Sequence, residues 1–311
     1  MPKTAFIGID TSCYTTSCAA VDIDGNILAD ERVLLSVKNG ARGLRQSEAV
    51  FQHVRNFPVV FDKVVNRLKS YSIKACCVSK TPTDGENSYM PVFEAGKAFA
   101  QSLASALNIP CFYTTHQRGH MQAAILLDRL QPPFVAVHIS GGTSDFMFIE
   151  HDKIETFAFS RDLHFGQLVD RAAVKIGLPF PGGSHLEKLA MGQKPYGRYS
   201  VTVKDAGPCL SGAEKQIFDD IEFKAIPKEQ IAIELYDCLA GSMLKTLEKF
   251  NIDIKTPVLV FGGVASSNIL RAMLTQKSDF NFRFSQNRMS SDNAVGVAII
   301  GLYKYLKEGN F

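Results

Sequence analysis

The run TAFIGIDTSCYTTSCAA (residues 4–20) sets an apolar strand, a turn of small polar residues at Asp10-Thr11-Ser12, and a second apolar strand in succession. The same order returns near the middle of the chain. There FVAVHI (residues 134–139) is followed by the turn Ser140-Gly141-Gly142-Thr143 and a returning strand over 145–150. Two strand-turn-strand units, each with helices for its sheet, predict an α/β protein of two lobes. The boundary falls at Pro132-Pro133. The reading is residues 1–130 for the first lobe and 131–292 for the second, with the last helix, 293–306, able to pack back on the first lobe.

Working outward, Asp24-Gly25-Asn26 signals a hairpin before a strand over 27–33. Val50, Val54, Phe57, Phe61, Val64, Val65 and Leu68 recur at helical spacing, and Pro58 within that run predicts a kink or break near Phe57. Further helices are expected over 94–107, 168–176 and 229–250, and further strands over 75–79, 111–114 and 257–261. The chain is 311 residues long, 46% hydrophobic and 21% charged, which places it among globular proteins. No apolar run reaches the length of a membrane span, and the first residues lack the features of a signal peptide. A cytoplasmic protein is therefore expected. The seven cysteines are scattered and form no C-x-x-C pair, so neither a disulfide framework nor a zinc knuckle is expected. A net charge of +3 does not by itself argue for a nucleic-acid partner.

Three loops share one character. Asp10-Thr11-Ser12, Ser140-Gly141-Gly142-Thr143 and Gly262-Gly263-Val264 each follow a buried strand. Turns of this composition present backbone N–H groups and hydroxyls to an anion, and glycine lets a phosphate approach closely. The third loop leads into a helix opened by Ser266-Ser267-Asn268, whose start offers unpaired N–H groups. Each loop taken singly also reads as a plain turn. The three in this order point to a nucleotide and to the actin-like/sugar-kinase/heat-shock-ATPase (ASKHA) architecture.

Four segments carry a closer resemblance. These are GIDTSCYTTSCAAV (residues 8–21), FGQLVDRAAVKIGLPFPGGSHLEKL (165–189), VLVFGGVASSNILR (258–271) and Ser291-Asp292-Asn293-Ala294. Together they resemble the tRNA threonylcarbamoyladenosine synthase family, a glycoprotease-like family, over nearly the whole chain. The resemblance implies Ser140, Gly141 and Gly142 at phosphate, Asp170 and Gly183 on the ribose side, and Asn268 on the adenine side. Asp10, Ser12 and Gly263 complete the expected nucleotide-binding set, for ATP, ADP or an acyl-adenylate. From the residues alone, Asp170 also reads as a solvated helix residue and Gly182-Gly183 as a simple turn.

His116 and His120 lie four residues apart, a spacing that on a helix stacks both imidazoles on one face, where they can share a divalent metal given a third ligand. Asp292, ahead of the last helix, is the natural third; as a bland alternative it caps that helix. The resemblance implies that His116, His120 and Asp292 bind one iron or zinc ion. No catalytic acid or base is assigned.

The chain also departs from the family pattern. Arg118 stands where the family has a glutamate between the histidines, and Tyr14-Thr15 replaces an Asp-Glu pair. Residues 81–90 keep no G-P-G, and 210–215 only echo F-S-G-L-K. The expected consequence is a shift of local charge around the metal.

The leading expectation is therefore a divergent paralogue that transfers a threonylcarbamoyl group to a tRNA adenosine, or carries out a closely related metal- and nucleotide-dependent carbamoyl transfer. Its RNA would dock on Arg42, Arg45, Arg55 and Arg118, and partner subunits of the pathway are expected. The alternatives are a non-catalytic ATP- or ADP-binding homologue and a small-molecule kinase using Asp145. A zincin protease is disfavoured, because Gln117 occupies the position of the H-E-x-x-H glutamate.

Overall fold

The computed structural model describes residues 3–37, 44–85, 88–128, 130–150, 153–285 and 292–308. Arg42, Glu86, Asn87 and Ser291 lie outside the described residues. The chain divides into two compact units, Met1–Leu127 with Ser291–Phe311, and Asp128–Ser290.

In the first unit, β1 (Lys3–Thr11), β2 (Thr15–Asp22) and β3 (Ile27–Leu34) form an antiparallel meander. β4 (Tyr71–Thr81) and β5 (Cys111–Thr115) continue it in parallel, giving the order β3-β2-β1-β4-β5. β1 reads as an unbroken apolar run because both its faces are covered. Ala5, Ile7 and Ile9 pack with Phe57, Val60 and Val64 of α1 (Gln46–Arg67) and with Ala100 and Ala104 of α2 (Val92–Leu107). On the other face, Phe6 meets Tyr305 edge to face, with ring centroids 5.2 Å apart. Burying each such Ile or Phe stabilises the fold by about 1.5–3 kcal/mol.

Helix α1 passes through Pro58 without a break, so of the expected kink or break near Phe57 the break does not occur. Pro58 sits on the exposed side, where water can serve the carbonyl its missing N–H leaves free. Phe57 meanwhile stacks on Phe99 at 4.1 Å and holds the opposite face down. The helix α3 (His116–Asp128) follows β5 directly.

The second unit repeats the plan. β6 (Phe134–Ile139), β7 (Ser144–Glu150) and β8 (Lys153–Phe159) form an antiparallel meander. Helices α4 (Phe165–Ile176) and α5 (Gly183–Ala190) come next, then the ribbon β9 (Thr202–Lys204) with β10 (Gly207–Cys209), then α6 (Ser211–Glu222) and α7 (Lys228–Lys249). β11 (Val258–Phe261) leads through a single 3-10 turn into α8 (Asn268–Lys277), and β12 (Phe282–Phe284) completes the sheet. Its order, β12-β11-β6-β7-β8, again sets two parallel strands beside a three-stranded meander.

Helix α7 is buried nearly all round, through Ile231, Leu235, Tyr236, Leu239, Met243 and Leu247. Its buried Glu234 accepts backbone N–H bonds from Tyr196, Gly197 and Arg198 at 2.8, 3.1 and 2.9 Å, which answers the desolvation of that carboxylate. The final helix, α9 (Val295–Lys307), belongs to the first unit and packs on β1 and β4. No helix among the described residues is long and apolar enough to cross a membrane.

Candidate functional site

β5 ends at Thr115 and α3 begins at His116, so both histidines fall in the first two turns of a helix that starts at the end of a sheet strand. Their rings meet edge-on, with centroids 4.4 Å apart. The Nε2 atoms of His116 and His120 lie 3.1 Å from each other, and each faces Asp292 Oδ1, at 3.5 and 3.1 Å respectively. These atoms form the group of potential metal ligands found among the described residues.

Close backbone approach brings Asp292 to the histidines. A Cβ added at Gly296, in the first turn of α9, would lie 1.9 Å from the Gly119 carbonyl oxygen and 2.6 Å from Ala123 N. A side chain at Gly119 would in turn meet Val297 Cγ2 at 2.8 Å. Two glycines therefore let α3 and α9 touch almost backbone to backbone, with Asp292 at the entrance to one helix and His120 beside the contact on the other.

A ring of hydrogen bonds fixes the group. His116 Nδ1 donates to the Asp10 carboxylate, 3.0 Å from Oδ1, so the lone pair of a neutral His116 lies on Nε2, toward Asp292 and His120. Ser12 Oγ donates to Asp292 Oδ2 at 2.5 Å. Arg32 Nη1 donates to the Asp292 carbonyl at 3.3 Å while its guanidinium pairs with Asp30. On α1, His53 lies 2.8 Å from both the Ser12 carbonyl and the Thr16 hydroxyl. The carbonyl can only accept, so Nε2 carries the proton there. Burial lowers the pKa of His53, consistent with that neutral form.

Burial works against charge on His116 too, but the nearby carboxylates of Asp10 and Asp292 outweigh it and raise its pKa well above the ordinary histidine value. For Asp292, burial favours the neutral acid, yet hydrogen bonds from His116 and His120 prevail and hold it well below the ordinary carboxylate range.

Arg118 does not add its charge to this centre. Its Nε donates to Asp84 Oδ2 at 2.7 Å on the protein surface, away from the imidazoles. Residues two apart on a helix point to nearly opposite sides, which puts Arg118 off the face shared by its two neighbours. Of the other basic residues considered for RNA, Arg55 lies over the Phe51 ring at 5.8 Å and Arg45 is the N-cap of α1.

The remaining candidates collect in the second unit, at the C-terminal ends of the neighbouring strands β6 and β11. Ser140 N donates to the Thr143 carbonyl at 2.9 Å and closes the first turn. Gly141 and Gly142 are exposed, with nothing within 4 Å of the position a Cβ would take. Gly262 has φ +100°, and a side chain there would strike Ile139 O at 2.4 Å, so that turn requires glycine. Gly263 and Asn268 are exposed beside it. Asp170 accepts from Gly182 N at 2.7 Å, tying α4 to the start of α5 at Gly183, and burial raises its pKa. Glu187 of α5 accepts from Ser267 Oγ and Ile269 N at 3.0 and 3.1 Å, which fixes the start of α8. Asp145 sits on β7, paired in register with His138.

Sequence reasoning placed Asp10 on a nucleotide turn and overlooked its contact with His116, together with His53, Asp30, Arg32 and Glu187. A usable signal existed for the Asp30–Arg32 pair, since opposite charges two apart on a strand share a face.

Comparison with known proteins bears on this geometry. The family model of tRNA N6-adenosine threonylcarbamoyltransferase matches residues 33–299. The enzyme of that name from Thermosipho melanesiensis is 28% identical over 316 residues, covering 95% of this chain and 93% of that protein. A probable bifunctional tRNA threonylcarbamoyladenosine biosynthesis protein of Thermoplasma volcanium is 26% identical over 305 residues, covering 96% of this chain and 56% of that protein. Among solved structures, the activator of 2-hydroxyisocaproyl-CoA dehydratase from Clostridium difficile, with bound ADPNP, superposes with a TM-score of 0.61 at 13% identity, covering 99% and 97% of the two chains. That likeness concerns the fold, which is of the two-lobed actin-like/sugar-kinase type read from the sequence. The relatives indicate a transferase of tRNA processing and favour neither the kinase nor the non-catalytic reading. With the family model running through both units, the chain belongs to the tRNA N6-adenosine threonylcarbamoyltransferase family.

Proposed function

We propose that the chain passes a threonylcarbamoyl group from an adenylate to the N6 amine of a tRNA adenosine. In this reading His116, His120 and Asp292 hold one divalent metal, iron or zinc, and the turns of the second unit hold the adenine nucleotide. The observation that carries the metal is the triangle of ligand atoms, with edges of 3.1, 3.1 and 3.5 Å. Ligands about 2.0–2.1 Å from one ion stand roughly 3.0–3.4 Å apart, so the triangle fits one face of a coordination polyhedron. Two imidazoles and a carboxylate suit both iron and zinc.

Bound there, the metal would supply Lewis-acid polarisation and a fixed point for the acyl group. The protein's own part is positional. Asp10 keeps the proton on His116 Nδ1 and the lone pair on Nε2, as outer-shell carboxylates do for metal-bound histidines. Ser12 occupies the second oxygen of Asp292 and leaves Oδ1 directed at the histidines.

The open space at Gly141, Gly142 and Gly263 lets a phosphate approach the backbone closely, and the nucleotide in the dehydratase activator supports the same use here. In the transfer the amine attacks the carbonyl carbon, a C–N bond forms, the bond to the adenylate oxygen breaks, and the amine loses a proton. The bifunctional relative supports a further protein of the pathway as partner.

The test is transfer of labelled threonine, as threonylcarbamoyl-adenylate, onto unmodified tRNA, with and without partner subunits, with metal content measured on the same preparations. Incorporation and metal should both disappear in His116→Ala and His120→Ala. Unchanged metal content in both variants would remove the metal site. No incorporation beside an active family member would remove the transfer reaction.

A further inference from the structure

We propose that the groove along the outer edge of β5 is a docking track for the phosphate backbone of an RNA, leading toward His116. Two adjoining hollows form it, of about 460 and 260 Å³, and Lys80, Tyr113 and Lys304 line both. β5 is the last strand of its sheet, and α9 packs on β4 and β5 beside it. The groove thus runs between the sheet edge and the end of α9, and it finishes at Thr115 and Arg118, where α3 begins. All of its lining belongs to the first unit.

Its charge comes from three separate elements. Lys80 stands near the end of β4, Arg118 in the first turn of α3, and Lys304 and Lys307 in the last turn of α9. Asp84 and Glu308 share the lining, so these four cations leave an excess of two positive charges. The whole chain carries only +3, which makes the groove a local concentration of charge. Cations at the end of a helix also answer its dipole, and that accounts for Lys304 and Lys307. It does not account for Lys80 and Arg118, which reach the same hollow from other elements.

The cations are positioned and reachable. Lys80, Lys304 and Lys307 are exposed. Lys304 Nζ donates to the Tyr113 carbonyl at 2.6 Å, which holds the ammonium over the strand edge and leaves its charge in place. Arg118 pairs with Asp84 at 2.7 Å, and both side chains are open to solvent. An ion pair of that kind is weak enough for a phosphate to exchange into. Arg45 and Arg55, considered for RNA from the sequence, belong to α1 and do not line the groove.

Cations spaced along an open groove fit a chain of phosphates, each with its own charge, better than one compact anion. An acidic peptide fits less well. Phe112 and Met121 of the lining are buried, so the groove lacks the open apolar pockets that anchor a peptide's side chains. Thr115 directly precedes His116, so a strand lying in the groove ends next to the candidate metal ligands. The choice of RNA rests on the transferase reading, whereas the polyanion track rests on the lining alone.

The experiment is a fluorescence-anisotropy titration of an unmodified tRNA transcript with the purified full chain at several salt concentrations. Lys80→Gln combined with Lys307→Gln removes two charges, keeps their apolar stems and spares the Lys304 bond. Each lost phosphate contact lowers the salt slope by about 0.7–0.9, or roughly five- to eightfold in affinity at 0.1 M salt relative to 1 M. The double variant should therefore bind about 25–60-fold more weakly at 0.1 M, with unchanged metal content. Lys153→Gln, on β8 of the second unit, should bind like wild type. Transfer of labelled threonine on the same preparations separates the two readings. RNA binding through these lysines without transfer upholds the groove and removes the reaction. Transfer by a double variant that binds RNA as wild type does removes the groove and keeps the reaction. A wild type that binds no RNA, or poly-glutamate that competes as well as the transcript, overturns the RNA assignment. If the double variant does not fold, ultraviolet cross-linking of wild type to the transcript decides, and cross-links that avoid the peptides of Lys80, Tyr113 and Lys304 overturn the proposal.

Discussion

Replacing Gly296 by alanine would set a methyl carbon 1.9 Å from the Gly119 carbonyl oxygen and 2.6 Å from Ala123 N. Both neighbours are backbone atoms of α3, so no side-chain rotation relieves the clash. A carbon and a carbonyl oxygen rest at about 3.3 Å, so the helices must separate by roughly 1.4 Å from the 1.9 Å approach. Overpacking of this kind costs about 1–3 kcal/mol, and backbone against backbone belongs at the upper end. In a unit of this size that lowers the melting temperature by roughly 10 °C. Asp292 lies four residues before Gly296, and His120 directly follows Gly119. The same shift therefore opens a ligand triangle whose edges are 3.1–3.5 Å, and metal affinity should fall by at least the 10–100-fold typical of outer-shell damage. Calorimetric unfolding and metal titration on one preparation measure both. Gly119→Ala, which meets only a valine methyl, should cost less. Gly212→Ala, in α6 with open space around it, should stabilise by about 0.5–1 kcal/mol. A Gly296→Ala protein with wild-type melting and metal binding would refute the claim that close helix contact builds the site.

Asp10→Asn should retain the fold and weaken metal binding about 10–100-fold, because His116 loses the carboxylate that orients it; an unchanged metal titration would count against that role. The raised pKa of His116 gives a second test. A metal must expel its proton, so affinity should fall as pH drops through the raised value, already above the ordinary histidine midpoint of about 6.5. Calorimetry in buffers of different ionisation enthalpy should show proton release on metal binding that declines as the pH rises through the raised value. In the second unit, hydrogen bonds from Arg198 lower the pKa of Asp220. Its contribution to stability is complete above the unfolded carboxylate value of about 3.9 and is lost as pH falls through the lower folded value. Asp220→Asn should therefore destabilise by about 1–3 kcal/mol at pH 7, with the difference vanishing in acid; an equal deficit at all pH values would point to packing instead.

The fold was readable because its strands are short, apolar and separated by turns of distinctive chemistry. The order strand, small turn, strand is visible at residues 4–20 and again at 134–150, and each stretch opens a five-stranded sheet of the same plan. Pro58 misled as to a break because proline's effect depends on which side of the helix it faces, and periodicity alone did not weigh that its ring lies among the solvent-facing positions. Arg118 misled for a related reason. Nearness in sequence was taken as nearness in space, although a helix turns about 200° over two residues and carries that side chain to Asp84.

The candidate metal site combines a local and a distant signal, and they differ in kind. Histidines four apart are a local pattern, and any helix will stack them. Asp10 and Asp292 lie 106 and 172 residues from their histidine partners, and no periodicity links such positions. What joins them is steric. Gly119 follows β5 by four residues, Gly296 opens α9, and each lacks a side chain where the two helices would otherwise be held apart. A glycine in a helix costs about 0.5–1 kcal/mol relative to alanine, so two of them in facing helices, each close to a potential ligand, signal a backbone contact. Combined with a buried carboxylate at Asp10, inside an apolar strand and in need of a partner, that signal marks where this chain brings its two histidines and two acids together.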